Sequence, residues 1–179
     1  MAGEHILVVD DEPAIQAALR GVFEDEGYRV SAAGTGADAL AFLADETPDL
    51  VFLDIWMPGM DGLDTLAEIT RLRPEATVVM ISGHGTIETA VKATRLGAYD
   101  FIEKPLSLEK TLLTVSRALE HARLQRENAT LRERLDRRAE IIGDSAAIRL
   151  LREQIALAAP SNGRVLVSGE NGSGKELVA

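Results

Sequence analysis

The chain has 179 residues, 46% of them hydrophobic, no cysteine, and a formal net charge of −10 at pH 7. That length can bury a full core with room for a smaller second unit, and the missing cysteines exclude a disulfide framework and any thiolate metal site. Charge is uneven: residues 1–105 carry 19 acidic against 7 basic side chains and residues 106–179 carry 10 against 12, which argues against nucleic-acid binding by the acidic part.

The opening MAGEHILVVDD has neither the basic start nor the apolar run of a signal peptide, and no apolar stretch approaches the roughly 18 residues of a membrane span. A soluble, cytoplasmic protein with no membrane partner is expected. In chain order, HILVV (5–9), YRVSA (28–32), DLVFL (49–53), TVVMI (77–81) and YDFI (99–102) read as strands. Between them, 13–26, 36–45, 62–72 and 86–96 carry apolar residues at helical spacing. Pro13 suits a first helical turn, and Asp61–Gly62 opens a helix after the turn Pro58–Gly59. Alternating strands and helices predict an α/β fold with a parallel sheet covered on both faces. The unbroken apolar runs 6–9, 50–53 and 78–81 mark central strands.

From Leu108 the pattern changes. Leu108, Leu112, Val115, Leu119 and Ala122 repeat at four and three, and Leu124, Asn128, Leu131 and Leu135 repeat in a shifted phase. This predicts one long helix carrying a two-chain seam, with a phase break near residue 122. The plainer alternative is that the first half packs on the sheet and the second is a solvated linker. The arginines between 117 and 138 are interleaved with acids, as on a solvated helical face. A helix over 144–157, a turn at Pro160–Gly163 and a strand RVLVS (164–168) follow. Then comes GENGSGKE (169–176), which fits a phosphate-cradling loop through Gly169, Gly172, Gly174 and Lys175 and should open a helix. Such a loop usually continues with Ser or Thr; here stands Glu176.

In VFLDIWMP (51–58) a carboxylate, Asp54, interrupts an apolar strand, where desolvating it is costly unless its charge is offset. In an open parallel sheet, ligands bind beyond the carboxyl ends of the strands. The residues just past each strand are Asp10, Asp11 and Glu12, then Asp54, Ser82 and Lys104, which would meet at one edge. Three carboxylates repel one another, and a hard divalent cation such as Mg²⁺ relieves that repulsion. With a hydroxyl and an ammonium added, the cluster could hold a phosphoryl group, Asp54 being the nucleophile. Taken singly, Asp10–Asp11 could cap a helix, Ser82 could be a turn residue and Lys104 a surface lysine.

ILVVDDEP, VFLDIWMPGMDG, VVMISGHG and DFIEKP together resemble the successive signatures of the receiver domain of two-component response regulators. The likeness runs through residues 4–120. It implies a flavodoxin-like doubly wound sheet of five strands in the order 2-1-3-4-5. It further implies Asp54 as phosphoacceptor, Asp11 as direct Mg²⁺ ligand, Asp10 acting mainly through water, and the Trp56 carbonyl as another ligand. Ser82 and Phe101 would be the switch residues and Lys104 the phosphate-pairing lysine, with a cis Lys104–Pro105 bond. Phe101 replaces the commoner tyrosine and has no hydroxyl to report the switch. Trp56 and His84 would sit at the rim.

Residues 141–179 are similar to the start of the ATPase domain of sigma-54-dependent activators of the NtrC class, in which Glu at position 176 is usual; within the class the chain looks most like NtrX-type regulators. The implied organisation is a receiver (1–122), a helical linker (123–140) and the beginning of a P-loop domain (141–179). The implied partners are a sensor histidine kinase and a second copy of the chain. Sigma-54 RNA polymerase and DNA would be reached only through regions outside these residues. ATP would matter only in a complete ATPase domain, so no ATP hydrolysis by this chain is expected, and the receiver would promote its own phosphorylation without enzymatic turnover. Two rival readings are a Mg²⁺-dependent aspartyl-phosphate phosphatase, which usually has a second Asp where Trp56 stands, and a constitutive dimer scaffold.

Overall fold

A computed structural model describes residues 3–83, 86–138, 141–160 and 163–178, the side chains of 133–138 and of Glu176 excepted. Five strands, β1 (His5–Val9), β2 (Arg29–Ala33), β3 (Leu50–Asp54), β4 (Val78–Ser82) and β5 (Asp100–Glu103), alternate with four helices, α1 (Pro13–Asp25), α2 (Gly36–Asp45), α3 (Gly62–Leu72) and α4 (Ile87–Arg95). A 31-residue helix, α5 (Leu108–Arg138), follows, then α6 (Ala146–Ala158). All strand pairs are parallel, in the order β2-β1-β3-β4-β5. The expected α/β class and strand order are therefore observed.

Alternation along each strand divides the core in two. Leu7, Val9, Val51, Leu53 and Met80 face one side, where Leu43 of α2, Leu66 and Ile69 of α3 and Ala93 of α4 cover them. Ile6, Val8, Phe52, Val79 and Ile81 face the other, under Phe23 of α1 and Val115, Ala118 and Leu119 of α5. Strands buried on both faces have no polar side to show, which is why β1, β3 and β4 read as unbroken apolar runs. Four of the five strands lie one residue later than their apolar runs suggest, so Asp54 and Ser82 are the last residues of β3 and β4 rather than the first beyond them. The ladder extends through them because their backbones still find partners in the neighbouring strand.

Helix starts follow capping chemistry. Asp61, Thr35 and Thr86 each accept the backbone N–H three residues on, at α3, α2 and α4. Pro13 opens α1 behind Glu12, so the cap residue there is neither Asp10 nor Asp11. Helix α6 starts two residues later than expected, behind a Ser145 cap.

Contacts divide the chain into two compact units, Met1–Arg126 and Glu127–Ala179. In the first, α5 packs on the sheet through Val115, Ala118, Leu119 and Ala122, while Leu108 is exposed and not part of the buried stripe. Arg126 pairs with Asp49, whose carboxylate also accepts the His5 N–H at 2.6 Å. In the second unit, the expected strand 164–168 is absent and Leu166 is 93% exposed. A strand needs a neighbour for its N–H and C=O groups, and no described segment of this unit offers one. The loop 169–174 leads into a single 3-10 turn, Lys175–Leu177, rather than an α-helix. The predicted turn at 160–163 lies partly outside the described residues. Among the described residues, no helix is long and apolar enough to cross a membrane.

His5, at the start of β1, supplies a pH test. Its Nδ1 accepts from the Arg29 guanidinium at 2.7 Å, so its Nε2–H donates to Ser31 at 2.8 Å and the ring is neutral. Burial and the Arg29 charge hold its pKa below 6.5, against weaker opposition from Glu46 and Asp49. The unfolded chain then binds more protons than the folded one just below pH 6.5, and stability rises with pH through that window. Urea unfolding should show this slope in the wild type and a flatter one in His5→Gln.

Candidate functional site

At the carboxyl ends of the strands, four elements converge on one lysine. Lys104 directly follows β5; its backbone N–H donates to the Ser82 carbonyl at 2.7 Å, which anchors it to the end of β4. From there its Nζ donates to Asp54 Oδ2 and to Asp10 Oδ2, both at 3.0 Å, and lies 3.7 Å from Glu12 Oε1. Asp10, fully buried just past β1, also accepts the Glu12 N–H on Oδ1 at 2.9 Å. That bond goes to the residue that caps α1 and not to an N–H of the helix itself, so Asp10 does not cap the helix. Asp54 accepts the Ile55 N–H on Oδ1 at 2.8 Å. Asp11 is exposed, and one oxygen from each of Asp10, Asp11 and Asp54 falls within a 4.8 Å cluster. The Lys104–Pro105 bond is cis.

Burial is the largest influence on Asp54 and leaves its carboxyl above the ordinary carboxylate value. Lys104 pulls it down by hydrogen bond and charge, the Asp10 charge pushes it up, and the Ile55 N–H pulls it down slightly. Desolvation alone would lower the Lys104 ammonium, but the hydrogen bonds and charges of Asp10 and Asp54 outweigh it and hold its pKa above 10.5. Three carboxylates against one ammonium leave the cluster two charges negative. The donors are all oxygen, partly buried and open on the Asp11 side. That set fits a hard divalent cation of the Mg²⁺ kind.

Ser82 is fully buried at the end of β4, and Phe101 is half-buried in β5, packed against the α2/α3/α4 side of the core. Trp56 lies two residues past β3 and is 59% exposed, a rim position. His84 lies outside the described residues.

Two residues with structural hold on this site escaped the sequence reading. Gln16, on α1, donates from Nε2 to the Asp10 carbonyl at 2.6 Å and the Ala33 carbonyl at 3.1 Å. Gly62 donates its N–H to the Ile55 carbonyl at 2.8 Å, and a Cβ there would stand 2.0 Å from the Asp54 carbonyl oxygen and 2.6 Å from Ile55 Cα. The available signal was the glycine itself at a first helical position, where a better helix former costs nothing unless backbone approaches.

In the second unit, Lys175 Nζ folds back onto the Gly169 and Glu170 carbonyls at 2.8 and 2.6 Å. Gly172 and Gly174 take φ of 77° and 81°, conformations that favour glycine. Gly169 faces Ser173, where a Cβ would meet the hydroxyl oxygen at 2.8 Å. The four predicted loop residues therefore lie in one short, closed turn.

Residues 6–116 match the response regulator receiver domain and residues 141–179 the sigma-54 interaction domain. The nitrogen assimilation regulatory protein NtrX of Azorhizobium caulinodans is 48% identical over 176 residues, 97% of this chain and 38% of that protein. A crystal structure of NtrX from Brucella abortus in complex with ADP is 49% identical with a TM-score of 0.69, covering 99% of this chain and 40% of that one. The solution structure of the beryllofluoride-activated NtrC4 receiver domain dimer is 40% identical with a TM-score of 0.64, covering 66% of this chain and 98% of that one. The chain thus spans about two fifths of the length of the longer proteins it resembles.

Gly62→Ala should cost about 1–3 kcal/mol or more in urea unfolding, because the Asp54–Ile55 backbone would have to shift. Gly21→Ala, inside α1 with open space at its Cβ, should instead gain roughly 0.5–1 kcal/mol.

Proposed function

The chain belongs to the response regulator receiver family, and from that premise we propose that it accepts a phosphoryl group on Asp54 from a histidine kinase and passes the change to α5. The observation that carries this is the single ammonium of Lys104 bridging Asp54 and Asp10 at 3.0 Å each, beside a third carboxylate, Asp11.

In this reading Asp10, Asp11, Asp54 and the Trp56 carbonyl would hold Mg²⁺, which would supply positive charge to offset that of the phosphoryl group. An Asp54 carboxylate oxygen forms the bond to phosphorus as the donor's bond to phosphorus breaks, and the leaving group departs with that electron pair. Lys104 moves from pairing two carboxylates to pairing one of them and a phosphoryl oxygen, so its charge is never left alone. Ser82, at the neighbouring strand end, donates its hydroxyl to the new group. Phe101, paired in β5 with Met80 of β4 two residues before Ser82, relays that pull through packing, since its ring has no hydroxyl.

The output runs through α5. Leu124 and Leu131, seven residues apart on one helix, are 53% and 58% exposed. A second copy of the helix would cover such a stripe. The NtrC4 receiver forms a dimer when activated with beryllofluoride, which supports the same partner here. By the likeness of residues 141–179 to the sigma-54 interaction domain, Gly169, Gly172, Gly174 and Lys175 would cradle nucleotide phosphates. The whole regulator would then control sigma-54-dependent transcription.

Acetyl phosphate with Mg²⁺ should add one phosphoryl group per chain in intact-mass spectra, and Asp54→Ala should add none. Lys104→Met should slow labelling about 10²-fold. Labelling of Asp54→Ala equal to wild type, or steady release of phosphate with many turnovers per chain, would overturn the assignment. Sedimentation of wild type with beryllofluoride and Mg²⁺ should show a change in dimer fraction that Asp54→Ala lacks.

A further inference from the structure

The buried Asp10 is tied down at every polar atom. Its N–H donates to the Ala33 carbonyl at 3.2 Å, its Oδ1 accepts from Glu12 N–H and its Oδ2 from Lys104. Its carbonyl accepts the shortest bond of the set, 2.6 Å, from Gln16 Nε2. The same nitrogen reaches the Ala33 carbonyl at 3.1 Å. Both partners are carbonyl oxygens, which only donate-capable groups can face, so chemistry alone fixes the amide with its NH₂ inward. Both hydrogens of that NH₂ are used.

Gln16 therefore pins three elements together: its own helix α1, the residue after β1 and the last residue of β2. The Asp10 carbonyl belongs to the peptide that leads into Asp11. Holding that carbonyl fixes the peptide plane, and with it where the Asp11 backbone starts toward the cluster. Asp11 is the exposed member, with the least packing of its own to direct it.

We infer that Gln16 is a positioning residue for the carboxylate cluster: its side-chain amide clamps the Asp10–Asp11 peptide and so sets the affinity for the divalent cation, without itself touching cation or phosphoryl group. This rests on the phosphoacceptor reading above. Neighbours that orient metal ligands commonly carry about 10- to 100-fold of metal affinity, and here the neighbour acts on backbone.

Charge and positioning predict opposite signs, which makes the inference testable. Gln16→Glu adds a negative charge near the cluster, so electrostatics alone would tighten Mg²⁺ binding. Positioning requires it to weaken, because a carboxylate facing two carbonyls is repelled. Gln16→Arg adds a positive charge but keeps donors for both carbonyls. The full 179-residue chain would be titrated with Mg²⁺ by calorimetry, with Trp56 fluorescence as a second readout, since it is the one tryptophan and lies two residues from Asp54. Gln16→Met and Gln16→Glu should each weaken Mg²⁺ binding about 10-fold, while Gln16→Arg stays within a few-fold of wild type. Labelling of Gln16→Met by acetyl phosphate should be slow at low Mg²⁺ and recover at saturating Mg²⁺. Affinities that follow charge instead, Glu tighter and Arg weaker, would overturn the inference, as would Gln16→Met with wild-type affinity. Should Gln16→Met not fold, Gln16→Asn, one methylene too short to reach, gives the same comparison. Wild type that binds no Mg²⁺ would bring down the phosphoacceptor reading itself, a separate outcome.

Discussion

The lysine ammonium between two buried carboxylates is the interaction around which the rest is arranged. Neither Asp10 nor Asp54 has water enough to be solvated as an anion, and each sits at a strand end where apolar packing stops. Removing one partner of a buried ion pair typically costs about 3–5 kcal/mol, because the survivor is left uncompensated. Lys104 therefore holds the sheet edge together, yet one cation against three carboxylates leaves the edge short of positive charge. A protein built for stability alone would have replaced the cluster with apolar residues. Its presence at the carboxyl ends of a doubly wound parallel sheet, where ligands bind in such folds, is what makes it a candidate site.

That edge is connected to the outgoing helix by structure on both sides. Pro105 follows Lys104, and the chain enters α5 three residues later, at Leu108. At the opposite edge of the sheet, Arg126 pairs with Asp49, which in turn binds the backbone of β1. Between these two points α5 lies on the sheet through small and branched side chains. Leu124 and Leu131 are exposed. In the proposed function, a change at Asp54 would reach a helix anchored at these two points and exposed at Leu124 and Leu131.

Much of this was legible in the sequence because the physics is local. Strands buried on both faces are apolar along their length and turn polar only at an end residue, so β1, β3 and β4 could be read from composition alone, and a parallel sheet then dictated where Asp10, Asp54 and Lys104 would meet. The strand ends were missed by one residue because hydropathy stops at Asp54 and Ser82, while the backbone ladder does not. Gln16 and Gly62 were not legible. A glutamine on a helix looks like a solvated side chain until its two carbonyl partners are brought together from β1 and β2, and the crowding at Gly62 exists only after the chain turns back under Asp54. The strand expected at 164–168 failed for a related reason: its apolar residues are correctly patterned, but pairing is a property of two segments, and the described part of that unit supplies one.

The central claim is that the carboxylate edge is electrostatically incomplete without a divalent cation. Urea unfolding of the wild type as a function of Mg²⁺ concentration tests it most directly, since a ligand that binds only the folded state stabilises it by RT ln(1 + [Mg²⁺]/Kd). The account predicts a stability that climbs logarithmically once Mg²⁺ exceeds its Kd, and a flat response in Asp11→Asn. A wild type whose stability is indifferent to Mg²⁺, or an Asp11→Asn that gains as much as wild type, would contradict it.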